Sequence, residues 1–105
     1  MSEEPYLYLT TTGRRSGRPR EAELWFTERA GRYYVIAEDG ERAHWIRNLQ
    51  AEPRVSWRVE GQTFTGRARV VDGAAGAAVQ ALSAAKYGWG EGLVVELVPD
   101  TPARR

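Results

Sequence analysis

A short segment near the start of this 105-residue sequence has the composition of an anion-binding turn. It runs from Thr10 to Glu21 and reads TTTGRRSGRPRE. The groups that could contact an anion are four guanidinium groups, one hydroxyl group and the backbone N–H groups of two glycines: Arg14, Arg15, Arg18, Arg20, Ser16, Gly13 and Gly17. Guanidinium groups form paired hydrogen bonds with phosphate, and glycines let N–H groups point into one concavity. The segment predicts a phosphate site, unless its arginines instead form surface ion pairs with Glu21, Glu23 and Glu28.

A second segment, HWIRNL, combines an aromatic ring with an amide. His44 and Asn48 are four residues apart and share a helix face, and Trp45 lies beside them. Trp45 could stack on a planar ligand that Asn48 orients. Alternatively, Trp45 fills the core and Asn48 bonds to nearby backbone. His44 could act as a general acid, although a single helical histidine is more often solvated.

A third segment, AKYGWG, is rich in aromatic residues and glycine. Lys86, Tyr87 and Trp89 flank Gly88 in what we predict to be a loop. Such a loop can cover a ligand pocket or contact a partner subunit. The alternative is that Tyr87 and Trp89 simply pack in the core.

The composition excludes several kinds of chemistry. The chain has no cysteine and therefore forms neither a disulfide nor a thiolate nucleophile. A single histidine without cysteine cannot form an ordinary zinc site, so no metal site is predicted. No Ser-His-Asp arrangement or carboxylate pair stands out, and GRRSG is not a Walker loop. The catalytic residues therefore stay unknown, and any enzyme activity requires a bound cofactor.

Charge and hydropathy limit the partners. The formal net charge of +1 argues against a dedicated nucleic-acid binder. A nucleic-acid-binding barrel is still a competing hypothesis, with Trp57 as a stacking platform beside four arginines: Arg54, Arg58, Arg67 and Arg69. No apolar run approaches the ~20 residues of a membrane span. We expect a cytoplasmic protein without a membrane span, and a domain this small often dimerises.

Hydrophobic periodicity predicts six strands and two helices. The predicted strands are Tyr6–Thr11, Arg20–Glu28, Tyr33–Glu38, the two sides of a hairpin that turns at Glu60-Gly61, and Leu93–Pro99. Mostly hairpin connections favour a mainly β (α+β) fold, a six-stranded antiparallel barrel with two short helices, although an open α+β sheet has the same periodicity. We expect one domain over residues 1–105, ordered from about 5 to 99, with a frayed tail from Asp100.

The two predicted helices lie on either side of that hairpin. The first follows Gly40, ends at Pro53, and turns a stripe of Ala43, Ile46 and Leu49 inward. The second is rich in alanine, runs over residues 73–85, and is expected to bury Val79 and Leu82.

Several stretches, in this order, resemble the deazaflavin-dependent nitroreductase family. They are YLYLTTTGRRSGRPRE with AELWF, then GRYYVIAE, WIRNLQAEPRV and GRARVV. The resemblance covers Tyr6 to about Val71, with weaker support to Pro99. The combination of LTTTGR-x-SG-x-P with W-x-x-N-L-x-A-x-P-x-V is specific. That family belongs to the split β-barrel, flavin-binding superfamily, together with pyridoxamine-phosphate-oxidase-like proteins.

The resemblance implies a homodimeric split barrel of the FMN-binding type. It also implies a cofactor, coenzyme F420 by preference or FMN, and hydride transfer to a small oxidised organic substrate. The family's phosphate-binding motif falls on one run of residues in the first turn: Arg14, Arg15, Ser16, Gly17 and then Arg20. Its Trp-x-x-Asn motif falls on Trp45 and Asn48, near the cofactor ring.

The sequence leaves two questions open: what closes the cofactor pocket, and whether the protein is catalytic. Lys86, Tyr87 or Trp89 would close the cofactor pocket, from the same chain or from its partner. The same barrel could also be a non-catalytic module that sequesters a flavin, a deazaflavin or haem.

Overall fold

The computed structural model describes Tyr6–Asp100, so the expectations for residue 5 and for the chain beyond Asp100 lie outside the described residues. Within these residues the elements are β1 (Tyr6–Thr12), β2 (Pro19–Arg29), β3 (Arg32–Ala37), a 3-10 turn (Gly40–Arg42), α1 (His44–Ala51), β4 (Arg54–Val59), β5 (Gln62–Val71), α2 (Gly73–Tyr87) and β6 (Leu93–Pro99). All neighbouring strands are antiparallel, and they close into a barrel in the order β1-β2-β3-β6-β5-β4. The predicted antiparallel barrel is confirmed, and the open-sheet alternative is wrong.

Strand β2 changes its partner halfway along. Its first part pairs with β1, from Thr12 opposite Pro19 to Tyr6 opposite Trp25. Its last part pairs with β3, beginning with Phe26 opposite Val35. The first part of β2 therefore pairs with β1 along one edge and has no strand paired along its other edge. The barrel is open along this unpaired edge of β2, and the candidate site lies there.

The core follows the alternation that the sequence predicts. Val55, Trp57 and Val59 of β4 all point inward and are buried, whereas Arg54 and Arg58 are exposed. From α1, Ile46 and Leu49 join the same buried cluster, as the predicted stripe requires. Burying one such side chain stabilises the fold by about 1.5–3 kcal/mol. This packing anchors α1 against the barrel and thereby fixes the position of its polar face.

Helix α2 differs from its predicted form in two respects. It extends through Tyr87 and ends at Gly88, which adopts the left-handed conformation (φ 78°) that commonly closes a helix. Val79 is buried as expected, but Leu82 is 39% exposed. The buried face instead consists of Gly76, Val79 and Ser83. Alanines on every side give this helix almost no hydrophobic stripe, so the sequence could not indicate which face packs. None of the helices between Tyr6 and Asp100 is both long and apolar enough to cross a bilayer.

Two carboxylates fix the last strand. Asp100 accepts two hydrogen bonds of 2.7 Å from the guanidinium of Arg54, and its backbone N–H donates to the Thr65 carbonyl. These bonds hold Asp100 itself against the barrel, whereas the predicted fraying of the tail beyond it lies outside the described residues. Glu96 is almost fully buried and accepts hydrogen bonds from three side chains: Arg32, Arg69 and Tyr34. Burial acts to raise the pKa of the Glu96 carboxyl, but these three hydrogen bonds outweigh it, and the pKa lies below its ordinary value.

Candidate functional site

The arginine-rich turn between β1 and β2 is attached to helix α1 through Asn48. The Asn48 side chain is buried, and its Oδ1 accepts hydrogen bonds from the backbone N–H of Arg14 (3.2 Å) and from the Arg14 guanidinium (2.9 Å). Its Nδ2 donates to Oγ1 of the buried Thr11 (3.2 Å). One amide therefore joins the end of β1, the start of the turn and the helix. Sequence reasoning left open whether Asn48 orients a ligand or bonds to nearby backbone, and in the structure it bonds to the backbone of Arg14.

The turn itself is closed by its own backbone. The N–H of Gly13 donates to the Arg18 carbonyl, and the N–H of Gly17 donates to the Gly13 carbonyl, both at 2.8 Å. Gly17 has φ +71°, which favours glycine. Because both glycine N–H groups are used within the turn, they do not form the anion-binding nest that the sequence suggested. Contacts to an anion must come mainly from side chains.

Four guanidinium groups of the protein line a cleft of about 730 Å³ beside this turn. We call it the arginine cleft, and its lining is Gly13, Arg14, Arg15, Ser16, Arg20, Glu21, Ala22, His44, Trp45, Arg47 and Asn48. Arg15 and Arg20 are exposed, whereas Arg14 is half-buried. Among the described residues, no carboxylate forms an ion pair with Arg14, Arg15 or Arg20. The predicted alternative, in which glutamates neutralise the turn arginines, is therefore absent from this part of the chain.

A second cleft of about 590 Å³ adjoins the first. We call it the aromatic cleft, and its lining is Tyr6, Glu23, Leu24, Trp25, Ile36, Ala37, Glu38, Asp39, Ala43, Trp45 and Trp89. Trp45 lines both clefts, so they meet at this residue. The floor comes from the first part of β2, whose outer edge has no β3 beside it. The opening of the barrel thus holds a cationic compartment and an aromatic compartment side by side.

The structure separates the three residues of the predicted aromatic loop. Trp89 lines the aromatic cleft. Lys86 and Tyr87 belong to the last turn of α2 and line neither cleft. Both donate hydrogen bonds to the Phe26 carbonyl, and the Tyr87 ring stacks on Trp25 with centroids 4.6 Å apart. Their placement is explained by the length of α2, which carries them onto β2.

The remaining predicted site residues divide in the same way. The arginine cleft brings together six of them: Arg14, Arg15, Ser16, Arg20, Trp45 and Asn48. Gly17 lies outside it and lines a separate groove with Thr10, Thr11, Thr12 and Arg54, among others. His44, which the sequence suggested as a general acid, also lines the arginine cleft.

Sequence reasoning missed Arg47, and it did not place the carboxylates of the aromatic cleft beside Trp45. Arg47 is three residues after His44, so helical spacing alone would have placed it on the face that carries His44. Glu38 and Asp39 follow β3 and come beside Trp45 only through the closure of the barrel. No local pattern in the sequence indicates that contact.

The nucleic-acid hypothesis loses its stacking platform in this structure. The Trp57 side chain is 1% exposed inside the barrel and cannot stack on a base. Three of the four arginines that the hypothesis needed are engaged with carboxylates: Arg54 with Asp100, Arg58 with Glu21 and Arg69 with Glu96.

Comparison with known proteins supports the deazaflavin resemblance. The family model for F420H2-dependent quinone reductase matches residues 1–88. An F420-H2 dependent reductase, FDR-A, shares 24% identity over 89% of this chain and 93% of its own, with a TM-score of 0.76. A protein solved as a domain-swapped dimer shares 25% identity over 89% of this chain and 79% of its own, also with a TM-score of 0.76. A Listeria innocua protein named as a candidate pyridoxamine 5'-phosphate oxidase shares 14% identity over 94% of this chain and 86% of its own, with a TM-score of 0.75. The split-barrel fold is confirmed, whereas nitroreductase activity stays a prediction.

Proposed function

Because the chain belongs to the F420H2-dependent quinone reductase family, we propose that it binds coenzyme F420 and reduces a small oxidised organic acceptor. The observation that carries this proposal is the junction of the two clefts at Trp45. A phosphorylated, tricyclic cofactor needs a cationic compartment for its phosphate and an aromatic surface for its ring. This opening of the barrel offers both in adjacent positions.

The arginine cleft fits a phosphate group. Arg15 and Arg20 are exposed, line the cleft and form no ion pair with the described carboxylates, so their donors are available. The Ser16 Oγ accepts a hydrogen bond from the Arg18 N–H at 3.1 Å, which leaves its own hydrogen to donate. A volume of about 730 Å³ lies within the range of about 300–1,000 Å³ that small-molecule pockets occupy. FMN also carries a phosphate, so this cleft fits either cofactor, and family membership favours F420.

Trp45 is the residue of this chain placed to contact the cofactor ring. Its position is fixed because Ile46 and Leu49 of the same helix are buried in the core. When bound, reduced F420 supplies a hydride, and a quinone that takes this hydride with one proton becomes a hydroquinone while the cofactor becomes oxidised. The protein's part is to hold the acceptor against the ring and to keep water away. The aromatic cleft, which shares Trp45 with the arginine cleft, is the compartment in which the acceptor binds against the ring.

A titration with three single variants tests the phosphate assignment. Arg15→Ala and Arg20→Ala each remove a guanidinium group from the cleft. Arg18→Ala removes one from the same turn but outside the cleft lining, so it is the matched control. A charge-assisted hydrogen bond is worth about 1.5–3 kcal/mol, and so each cleft variant raises the Kd for F420 by about tenfold or more. Fluorescence quenching of the cofactor measures the Kd.

A phosphate-free deazaflavin fragment completes the test. Wild type and both cleft variants should bind this fragment with equal affinity, because it has no phosphate to lose. Arg18→Ala should bind F420 as the wild type does. If the cleft variants lose affinity for fragment and cofactor equally, the arginines act on the shape of the pocket. If all three variants bind F420 normally, the turn does not hold the phosphate.

We also propose that the protein is a homodimer. A structural neighbour is a domain-swapped dimer, and Trp25, at the rim of the aromatic cleft, is 38% exposed. An exposed tryptophan stacked on Tyr87 at a cleft rim is typical of an interface residue.

A further inference from the structure

The aromatic cleft has a charge opposite to that of its neighbour. Four of its side chains are aromatic and three are carboxylates: Tyr6, Trp25, Trp45 and Trp89, with Glu23, Glu38 and Asp39. No lysine or arginine is among its described lining residues. The arginine cleft has the reverse character, with four arginines and one glutamate. The two compartments meet at Trp45, so the sign of the charge changes across a single side chain.

The carboxylates of the aromatic cleft are not neutralised by their surroundings. Glu38 and Asp39 are exposed and form no ion pair with any described residue. Glu23 accepts a hydrogen bond from the Tyr8 hydroxyl (3.0 Å), a neutral donor that leaves its negative charge in place. Lys86, at the end of α2, forms no ion pair with these described carboxylates, and its ammonium group donates to the Phe26 carbonyl.

Aromatic rings and carboxylates together recognise one class of ligand. The face of an indole or phenol ring attracts a cation, and aromatic cages bind quaternary ammonium groups in this way. Trp25 and Trp89 meet edge to face, with ring centroids 5.9 Å apart, so two walls of the cleft present differently oriented rings. The carboxylates add a favourable potential at the rim and repel anions.

We propose that the aromatic cleft selects acceptors that carry a positive charge, namely planar quinone-like molecules with an ammonium substituent. This inference rests on the proposed function, because it names the substrate class of the same site. The ammonium group binds among the rings and carboxylates and takes no part in electron transfer. The quinone system accepts one hydride and one proton and becomes the hydroquinone, and F420H2 becomes F420.

Three naphthoquinones test this proposal, and their one substituent differs in charge but little in size. They carry a neutral 2,2-dimethylpropyl group, a trimethylammoniomethyl group or a sulfonatomethyl group, and each is offered to wild type with F420H2. We expect kcat/KM for the cationic quinone to exceed that for the neutral one by about tenfold, and the anionic quinone to be the poorest. The difference should lie in KM, because the charge affects binding and not the hydride transfer.

A charge-neutral variant of the cleft shows whether the carboxylates cause this preference. Glu38→Gln/Asp39→Asn should bring the cationic and neutral quinones within about threefold of each other. Glu28→Gln/Glu60→Gln removes the same charge from exposed positions outside both clefts and should keep the wild-type preference. Both residue pairs are exposed, so neither variant disturbs the core.

A binding measurement separates this inference from the proposed function. Quenching of tryptophan fluorescence by the trimethylammonium quinone, with no cofactor added, should be saturable in wild type and about tenfold weaker in Glu38→Gln/Asp39→Asn. If the protein binds F420 and reduces all three quinones equally well, the inference is wrong and the proposed function stands. If it neither binds F420 nor reduces any quinone, the proposed function is wrong, and equal binding of the three quinones would overturn the inference as well.

Discussion

Replacing Asn48 by alanine should weaken both the fold and cofactor binding, because one buried amide attaches the arginine-rich turn to helix α1. The substitution removes the acceptor for two Arg14 donors and leaves the buried Oγ1 of Thr11 without its donor. A hydrogen bond contributes about 0.5–1.5 kcal/mol, and one to a charged group about 1.5–3. Since the Arg14 guanidinium can be solvated after the change, we expect a loss of about 2–4 kcal/mol. For a domain of this size, that loss lowers the melting temperature by about 10–25 °C.

A double-mutant cycle with Thr11→Val isolates the contribution of the Asn48–Thr11 hydrogen bond to the free energy of unfolding. Thr11→Val alone leaves the buried Nδ2 of Asn48 without its acceptor and should cost about 1–3 kcal/mol. When Thr11→Val is introduced into the Asn48→Ala variant, it should lower the free energy of unfolding by clearly less, because the hydrogen bond is already lost. Urea unfolding measures the stability of each folded variant, and titration with F420 measures its affinity.

The affinity shows whether the attachment matters to the site. A folded Asn48→Ala protein should bind F420 about tenfold more weakly, because Arg15 and Ser16 are no longer held in place. If the variant melts within about 2 °C of wild type, the hydrogen bonds of Asn48 do not carry the stability assigned to them. If it is destabilised but binds F420 normally, Asn48 stabilises the fold without positioning the site.

Three further predictions concern the barrel and its assembly. Glu96→Gln should cost about 1–3 kcal/mol in urea unfolding at pH 7, because the buried carboxylate accepts three hydrogen bonds. The folded state lowers the pKa of Glu96, so the stability that its carboxylate contributes is present at pH 7 and is lost as the pH falls below the ordinary value of 4.5. The free energy of unfolding of Glu96→Gln should therefore decline less than that of the wild type over this pH range. An equal decline would refute this assignment. Tyr87→Phe should cost about 1–2 kcal/mol, because its hydroxyl donates to the Phe26 carbonyl (2.6 Å) and accepts from the Phe26 N–H (3.2 Å); an unchanged melting temperature would contradict this. Light scattering should show a dimer at micromolar concentration, and a monomer with F420 present would overturn the proposed homodimer.

The barrel was predictable because period-two alternation fixes which face of each strand is buried. In β4 and α1 the predicted inward residues are buried, whereas Ala43, also predicted to face inward, precedes α1 and is half-buried. Helix α2 was less predictable because alanine gives every face a similar hydropathy, and its buried face includes Gly76 and Ser83 in place of Leu82. Lys86 and Tyr87 were assigned to a loop because the predicted helix ended at residue 85, although Gly88 is a usual signal for a helix end.

The site was predictable in part. The turn arginines and Trp45 could be named as candidates because they fall on motifs of a resembling family, and the structure places them around one cleft. The role of Asn48 could not be derived, because it depends on the contact of Oδ1 with a backbone N–H 34 residues away. The aromatic cleft was also beyond sequence reasoning, since Tyr6, Glu38 and Trp89 lie on three separate parts of the chain.

Anaerobic turnover of F420H2 with the neutral naphthoquinone tests the central claim most directly. The chain should oxidise many equivalents of F420H2 per protein molecule and form one hydroquinone for each F420 produced. Arg15→Ala should need a higher F420H2 concentration to reach the same rate, and Arg18→Ala should behave as the wild type. Tight binding of F420H2 without oxidation beyond the uncatalysed rate would contradict the account, because it would identify the protein as a module that only sequesters the cofactor.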